Sequence, residues 1–280
     1  MKTIFIPTDF SENAAIAFRY GVAFANKLSA KIILYNAIHV PIINASIDVV
    51  VSFAEMEQKT LVKLENWKNE NLKQENSIEI ECLVETGFAG DEIILFGKKR
   101  NVDMIIMGTK GETGLFNKMI GSITSIIIEK AHCPVFAIPE NVLIGDIKRI
   151  VFATDYRDND FDTLRSITEI AKNFNAEIVV LHVILEDKNY EKENTDFDAF
   201  SNKVNQTISY DKFAYRLLKG KNVEEELNNF LKEVQTDILV TSTAKRNFIS
   251  KFFNHSVTKE IAQHPKIPLL AFHVKEKKEQ

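Results

Sequence analysis

Thr3-Ile4-Phe5-Ile6 is a short apolar run that stops at Pro7-Thr8-Asp9. Behind it Ala14, Phe18, Val22 and Ala25 recur at spacings of four, four and three, which predicts one buried face of a helix. Lys31-Ile32-Ile33-Leu34-Tyr35 then predicts a second strand. The series restarts at Arg149-Ile150-Val151-Phe152-Ala153-Thr154-Asp155-Tyr156, passes through Leu164, Ile167, Ile170, Ala171 and Phe174, and reaches Glu177 to Leu181. Asp9 and Asp155, Ala25 and Ala171, and Ile32 and Ile178 are all separated by 146 positions. Later pairs keep a different offset, 134: Asp103 with Asp237, and the strands beginning at Cys133-Pro134 and Ile267-Pro268. The chain therefore reads twice, with the second copy about a dozen residues shorter in its middle.

The predicted strands are runs of Ile, Val, Leu and Met without polar alternation, as expected for strands covered on both faces of a parallel sheet. Strands and helices alternate in each half. The expected fold class is thus α/β, with two doubly wound parallel-sheet domains, 1–144 and 145–280. Such sheets take ligands beyond the carboxyl ends of their strands, where strand order reverses. One stretch breaks the symmetry. Ser52 to Lys73 predicts an amphipathic helix around Leu61, Leu64, Trp67 and Leu72. Pro41 to Val51 before it is an apolar connection that either packs over the sheet or serves as a lid over a site.

Composition narrows the function. Hydrophobic residues make up 45% and charged residues 26%, the balance of a globular protein. A net charge of −4 gives no reason to expect nucleic acid as a partner. Met1-Lys2 leads directly into a strand and no apolar run has membrane-spanning length, so no membrane partner and a cytoplasmic location are expected. Cys82 and Cys133 form no ligand pattern, and Cys133 is expected to be a packed thiol. His39, His132, His182, His255, His264 and His273 lack metal spacing, and are expected to be surface or capping residues.

The most specific pattern follows the apolar run Met104 to Met107. Gly108, Gly111 and Gly121-Ser122 stand as G-x2-G-x9-G-[ST], with Thr124 two residues on. Glycines at a strand end let a ligand lie against bare N–H groups. A helix opening at Gly121-Ser122 offers unpaired N–H groups and a positive dipole end to phosphate oxygens, and Lys110 adds a cation. Neither GxxxxGK[ST] nor GxGxxG is present.

This spacing resembles the ATP-binding motif of the universal stress protein family. Pro7-Thr8-Asp9-Phe10-Ser11-Glu12 is similar to the family's first loop, and Cys133-Pro134-Val135 to its last-strand entry. The resemblance covers nearly the whole chain, once per half. It implies an adenine nucleotide alpha hydrolase-like, Rossmann-like fold and a stress or signalling module that responds to ATP, bound with Mg2+. It also implies that Asp9 holds the nucleoside end with Pro7 and Thr8, and that Ala37 lines the adenine pocket in an Asn36-Ala37 pair where the family more often has His-Val. The Gly108–Gly111 turn and Gly121-Ser122-Ile123-Thr124 would carry ribose and phosphates, with Met107 and Lys110 beside them. In the second half Ser242, Lys245 and His255 replace the three glycines, so no ATP, or much weaker binding, is expected there.

Two further classes stay open: an enzyme that hydrolyses ATP or transfers adenylyl groups, and a nucleotide-independent scaffold. No HxGH, KMSKS or SGGxDS motif and no carboxylate pair beside the glycine loop favours catalysis, so hydrolysis is expected to be slow at most. Family resemblance further implies that the strands Pro134 to Pro139 and Pro268 to Val274 pair as an internal pseudo-dimer. A further homodimer, the signalling partner and the choice between ATP and AMP stay open.

Overall fold

The computed structural model describes residues 2–39, 47–72, 78–110, 120–142, 144–156, 160–242 and 267–273. Among these, two compact units form, the first from 2 to 144 and the second from 145 to 242 with 267–273.

The first unit runs β1 (Thr3–Pro7), α1 (Glu12–Leu28), β2 (Lys31–Ile38), α2 (Ile47–Asn71), β3 (Ile80–Thr86), α3 (Ala89–Lys99), β4 (Met104–Gly108), α4 (Ser122–Lys130) and β5 (Val135–Ile138). Its sheet has the order β3-β2-β1-β4-β5 with parallel pairings. The second unit runs β6 (Arg149–Ala153), α5 (Asp160–Phe174), β7 (Glu177–Leu185), α6 (Tyr190–Thr207), β8 (Phe213–Gly220), α7 (Val223–Glu233), β9 (Ile238–Ser242) and β10 (Leu269–Phe272). Its order is β10-β9-β6-β7-β8, again parallel. The doubly wound α/β reading therefore holds in both halves.

Register carries the repeat down to single residues. Ile4 pairs with Ile32 and Ile150 with Ile178, both partners displaced by the first offset read from the sequence. Ile105 pairs with Val135 and Leu239 with Leu269, displaced by the second. The shortening falls between the second and third strands, where α2 has 25 residues and α6 has 18. One polar device also repeats. The Asp103 carboxylate accepts the Thr3 N–H at 2.7 Å, and the Asp237 carboxylate accepts the Arg149 N–H at 2.8 Å. Each pins the start of its unit's first strand to the start of the neighbouring strand, which is why this aspartate appears in both copies.

Helices cover both faces of the first sheet. Beneath α3, Phe5, Tyr35 and Phe96 pack as a triplet with ring centres 4.8–5.2 Å apart. On the α1 side, Phe24 and Phe136 meet at 5.3 Å, and Trp67 of α2 reaches Phe18 at 5.5 Å. Burying such large apolar side chains supplies most of the driving force for closing the unit.

Three boundaries differ from expectation. Ile47 to Val51 belong to α2 rather than to a connection. The rest of that connection, Pro41 to Ser46, and Lys73 at the far end of the expected helix, lie outside the described residues. Strand β2 continues to Ile38 and β7 to Leu185, because their outer neighbours β3 and β8 pair with them that far.

Candidate functional site

In the first unit β1 lies between β2 and β4, so the chain leaves β1 toward one side of the sheet and later returns on the other. This is the switch point at which open α/β sheets present a crevice. Pro7 ends β1 beside Tyr35, and Gly108 ends β4 beside Ile138. Thr8-Asp9 and Thr109-Lys110 therefore emerge on either side of that point.

The first loop is held by short-range bonds. The Thr8 N–H donates to the Tyr35 carbonyl at 2.8 Å, and its Oγ1 accepts the Phe10 N–H at 3.0 Å. The buried Asn36 Nδ2 donates to the Thr8 carbonyl at 2.8 Å. Phe10 takes a left-handed φ of 66°, a strained state for a bulky residue. That turn sends its ring against Trp67 at 6.1 Å, with the Lys63 ammonium 4.0 Å over it. Ser11 caps α1 by accepting the Ala14 N–H. Asp9 accepts the Ser11 N–H at 3.1 Å and stays exposed, so its carboxylate stands at the surface of the crevice.

Beyond β4, three successive carbonyls are tied by the surrounding helices. Thr124 Oγ1 donates to the Gly108 carbonyl at 2.9 Å, the Gly121 N–H to that of Thr109 at 2.6 Å, and Asn13 Nδ2 to that of Lys110 at 3.0 Å. Across a trans peptide the N–H points opposite to the C=O, so the Lys110 N–H faces away from Gly121. Gly121 then N-caps α4 with extended backbone and no side-chain hydrogen bond to the cap. Among the described residues, no side chain caps the first N–H groups of α4. Ser122 and Ile123 are exposed at that end. The absence of Cβ at Gly108 has a local cause, because an added Cβ would stand 3.0–3.2 Å from the Asn13 amide.

Pro7, Thr8, Met107 and Gly108 are buried under the crevice, Ala37, Lys110 and Gly121 are half-buried, and Asp9, Ser122 and Ile123 are open. Gly111, Lys245 and His255 lie outside the described residues. Two assignments change. Thr124 is 3% exposed and its hydroxyl is spent on Gly108, so it holds the turn instead of offering a proton to a phosphate. Ala37 lies within β2, opposite Glu85, rather than after it. Lys110 also has a partner, since its Nζ stands 3.5 Å from Glu140. Asn13 and Thr109 were not singled out by sequence. A lone asparagine in the first turn of a helix reads as an ordinary solvated residue, and its 7% exposure appears only in the fold.

The second unit repeats the first loop but not the glycine at the end of its fourth strand. The Thr154 N–H donates to the Leu181 carbonyl, Thr154 Oγ1 accepts the Tyr156 N–H, and Tyr156 has φ 48°. His182 stands where Asn36 does, its Nδ1 2.7 Å from the Thr154 carbonyl. The divergence comes at Ser242, the counterpart of Gly108. Its hydroxyl donates to Asp160 Oδ1 at 3.1 Å, and Thr154 Oγ1 donates to Oδ2 of the same carboxyl group at 2.6 Å. An acidic side chain, 2% exposed, thus sits behind the strand end in the copy without the glycine. Tyr156 donates to Glu193 and lies 4.6 Å from the His182 ring, with Phe197 beside both. Burial, followed by the Glu193 hydrogen bond, raises the Tyr156 hydroxyl pKa above the usual phenol range.

His182 and His132 are therefore not surface or capping residues. The His182 side chain is 11% exposed within that aromatic cluster. Both His132 ring nitrogens are buried with no hydrogen-bond partner among the described residues. His39 is exposed, and His255 and His264 lie outside the described residues. Cys133 is packed, at 6% exposure, and burial pushes its thiol up to about 12. No helix among the described residues is long and apolar enough to cross a membrane.

The universal stress protein family model matches residues 1–139 and again 146–273. Universal stress protein MJ0577 of Methanocaldococcus jannaschii is 30% identical over 155 residues, covering 49% of this chain and 94% of its own length. Universal stress protein MJ0531 of the same organism is 28% identical over 142 residues, covering 49% of this chain and 81% of its own. Each of these relatives thus corresponds to about half of this chain. A universal stress protein from Archaeoglobus fulgidus DSM 4304 has a similar fold over 98% of this chain and 97% of its own, with TM-score 0.70 and 17% identity. Two family matches, a repeated strand order and a repeated register lead to one conclusion: this chain belongs to the universal stress protein family, as a tandem form with two copies of the domain.

Proposed function

We propose that the first unit binds ATP, with Mg2+, at the β1/β4 switch point, and that the protein is a nucleotide-responsive stress or signalling module with at most slow hydrolysis. One observation carries this reading. The carbonyls of Gly108, Thr109 and Lys110 are all tied to α1 and α4, next to a helix start that no side chain caps. Such a surface offers N–H donors and a positive dipole end, the chemistry that phosphate oxygens require.

On this reading the Ser122, Ile123 and Thr124 N–H groups hold phosphate, with the Gly108–Gly111 turn beside them. Asp9, Pro7 and Thr8 hold the nucleoside end, and Ala37 and Met107 line it. Lys110, half-buried and shared with Glu140, adds partial charge neutralisation. Mg2+ would neutralise phosphate charge and be carried mainly by the phosphates and water, since the described residues include no group of three or more His, Cys, Asp or Glu placed to hold a metal.

The domains are 1–144, which binds, and 145–280, which binds no ATP or binds it much more weakly. In the second, Ser242 replaces Gly108 and its hydroxyl is engaged by the buried Asp160. We further propose that the last strands of the two domains pair as an internal pseudo-dimer, and that the protein works in the cytoplasm.

The test is mass analysis of nucleotide released by denaturing the purified protein after incubation with millimolar MgATP. The wild type releases ATP and a Gly121→Glu variant, which places a carboxylate at the helix start, releases none. Equal release from both proteins would show that the site assignment is wrong, and none from either would leave a nucleotide-independent scaffold as the better reading.

A further inference from the structure

Asn13 lies at the second position of α1 and is 7% exposed. Its Nδ2 donates to the Lys110 carbonyl at 3.0 Å, across 97 positions of sequence. Its Oδ1 is buried with no hydrogen-bond partner among the described residues. The amide also fills the space over Gly108, where an added Cβ would meet Cγ at 3.0 Å, Oδ1 at 3.1 Å and Nδ2 at 3.2 Å. As a contributor to stability this asparagine is a poor choice. What one hydrogen bond gains is offset by the desolvation of an amide oxygen left unpaired. An alanine there would avoid that loss and suit a helix better.

What the amide does provide is position. The Gly108 and Thr109 carbonyls are held from α4, by Thr124 and Gly121. Only the Lys110 carbonyl is held from α1. This bond ties the last described residue after β4 to the start of α1. We infer that Asn13 is a positioning residue of the ligand site, which holds the Lys110 carbonyl for phosphate recognition and leaves little room for a Cβ at position 108.

The inference rests on the proposed ATP site for its consequence but not for its geometry, so two readouts are needed. Asn13→Asp keeps the shape of the side chain and removes the donor, while Asn13→Ala removes both. MgATP affinity is expected to fall about tenfold in Asn13→Asp, the equivalent of one lost hydrogen bond, while thermal midpoints of both variants stay within about 3 °C of wild type. Gly108→Ala is expected to weaken binding alone, and to cost less in the Asn13→Ala background, where the space has been vacated. Independently of ligand, hydrogen exchange at the Gly121 amide, bonded to the Thr109 carbonyl, is expected to speed up in Asn13→Asp.

If wild type binds no nucleotide, the ATP reading fails, and the exchange measurement alone decides the positioning role. If wild type binds but Asn13→Asp binds equally well with unchanged Gly121 exchange, the positioning role is overturned and the ATP reading stands. A loss of affinity that merely follows a large drop in thermal midpoint also overturns it, since it would mark Asn13 as a structural residue.

Discussion

Thr124 shows how the chemistry of one residue was legible while its use was not. A hydroxyl two positions into a helix after a glycine suggests a phosphate donor, and the spacing that drew attention to it was sound. Whether the hydroxyl faces outward depends on the α4 rotation against β4, which a single sequence does not encode. In the structure it donates to the Gly108 carbonyl and is buried. Thr124→Val keeps the shape and strands that carbonyl, so a loss of about 1–3 kcal/mol is expected, read by urea unfolding, with Thr124→Ser recovering part of it. No change in Thr124→Val would mean that the bond contributes nothing. Cys133 was easier to read, because it stands at the entry of an apolar strand. Burial raises the Cys82 and Cys133 thiols from an ordinary 9.0 to about 12, so both are protonated at neutral pH. A raised pKa in the folded state means their contribution to stability is complete below pH 9 and disappears as pH rises through about 12. A thiol reagent at pH 8 should therefore label the native protein slowly and the unfolded protein twice, and stability should fall in the alkaline range above pH 9. Rapid native labelling would contradict this.

At the scale of elements, apolar runs and helical spacing located most of the strands and helices, because burial on both sheet faces leaves little ambiguity. Element ends were less legible. Strand β2 runs past Tyr35 because β3 pairs with it as far as Ile38, a tertiary cause absent from the local pattern. Histidines show the same limit: Asn36 and His182 do one job, holding the threonine carbonyl of the first loop, although their chemistry differs. The aspartate pair is the opposite case. Asp103 and Asp237 stood out as matched positions without a reason, and the structure supplies it in the N–H groups of Thr3 and Arg149. Asp103→Ala and Asp237→Ala are each expected to cost about 1–2 kcal/mol, by releasing the start of β1 or β6. Denaturant unfolding of the two variants checks this, and a loss confined to one of them would show that the device is not equivalent in the two units.

Across the whole molecule, duplication preserved the scaffold and let the chemistry diverge. Both units keep strand order, register and the left-handed residue after the first-loop aspartate, at Phe10 and Tyr156. What differs lies at the fourth-strand end, where a bare glycine is backed by an amide in one copy and a serine is engaged by a carboxyl group in the other. Under the proposed function, such asymmetry corresponds to a single nucleotide input in the first domain. The count of ATP molecules per chain tests this most directly. Calorimetric titration of the full chain with MgATP should saturate at one equivalent, and at none in Gly121→Glu. Two equivalents per chain, or one that survives Gly121→Glu, would contradict the assignment of the site to the first unit.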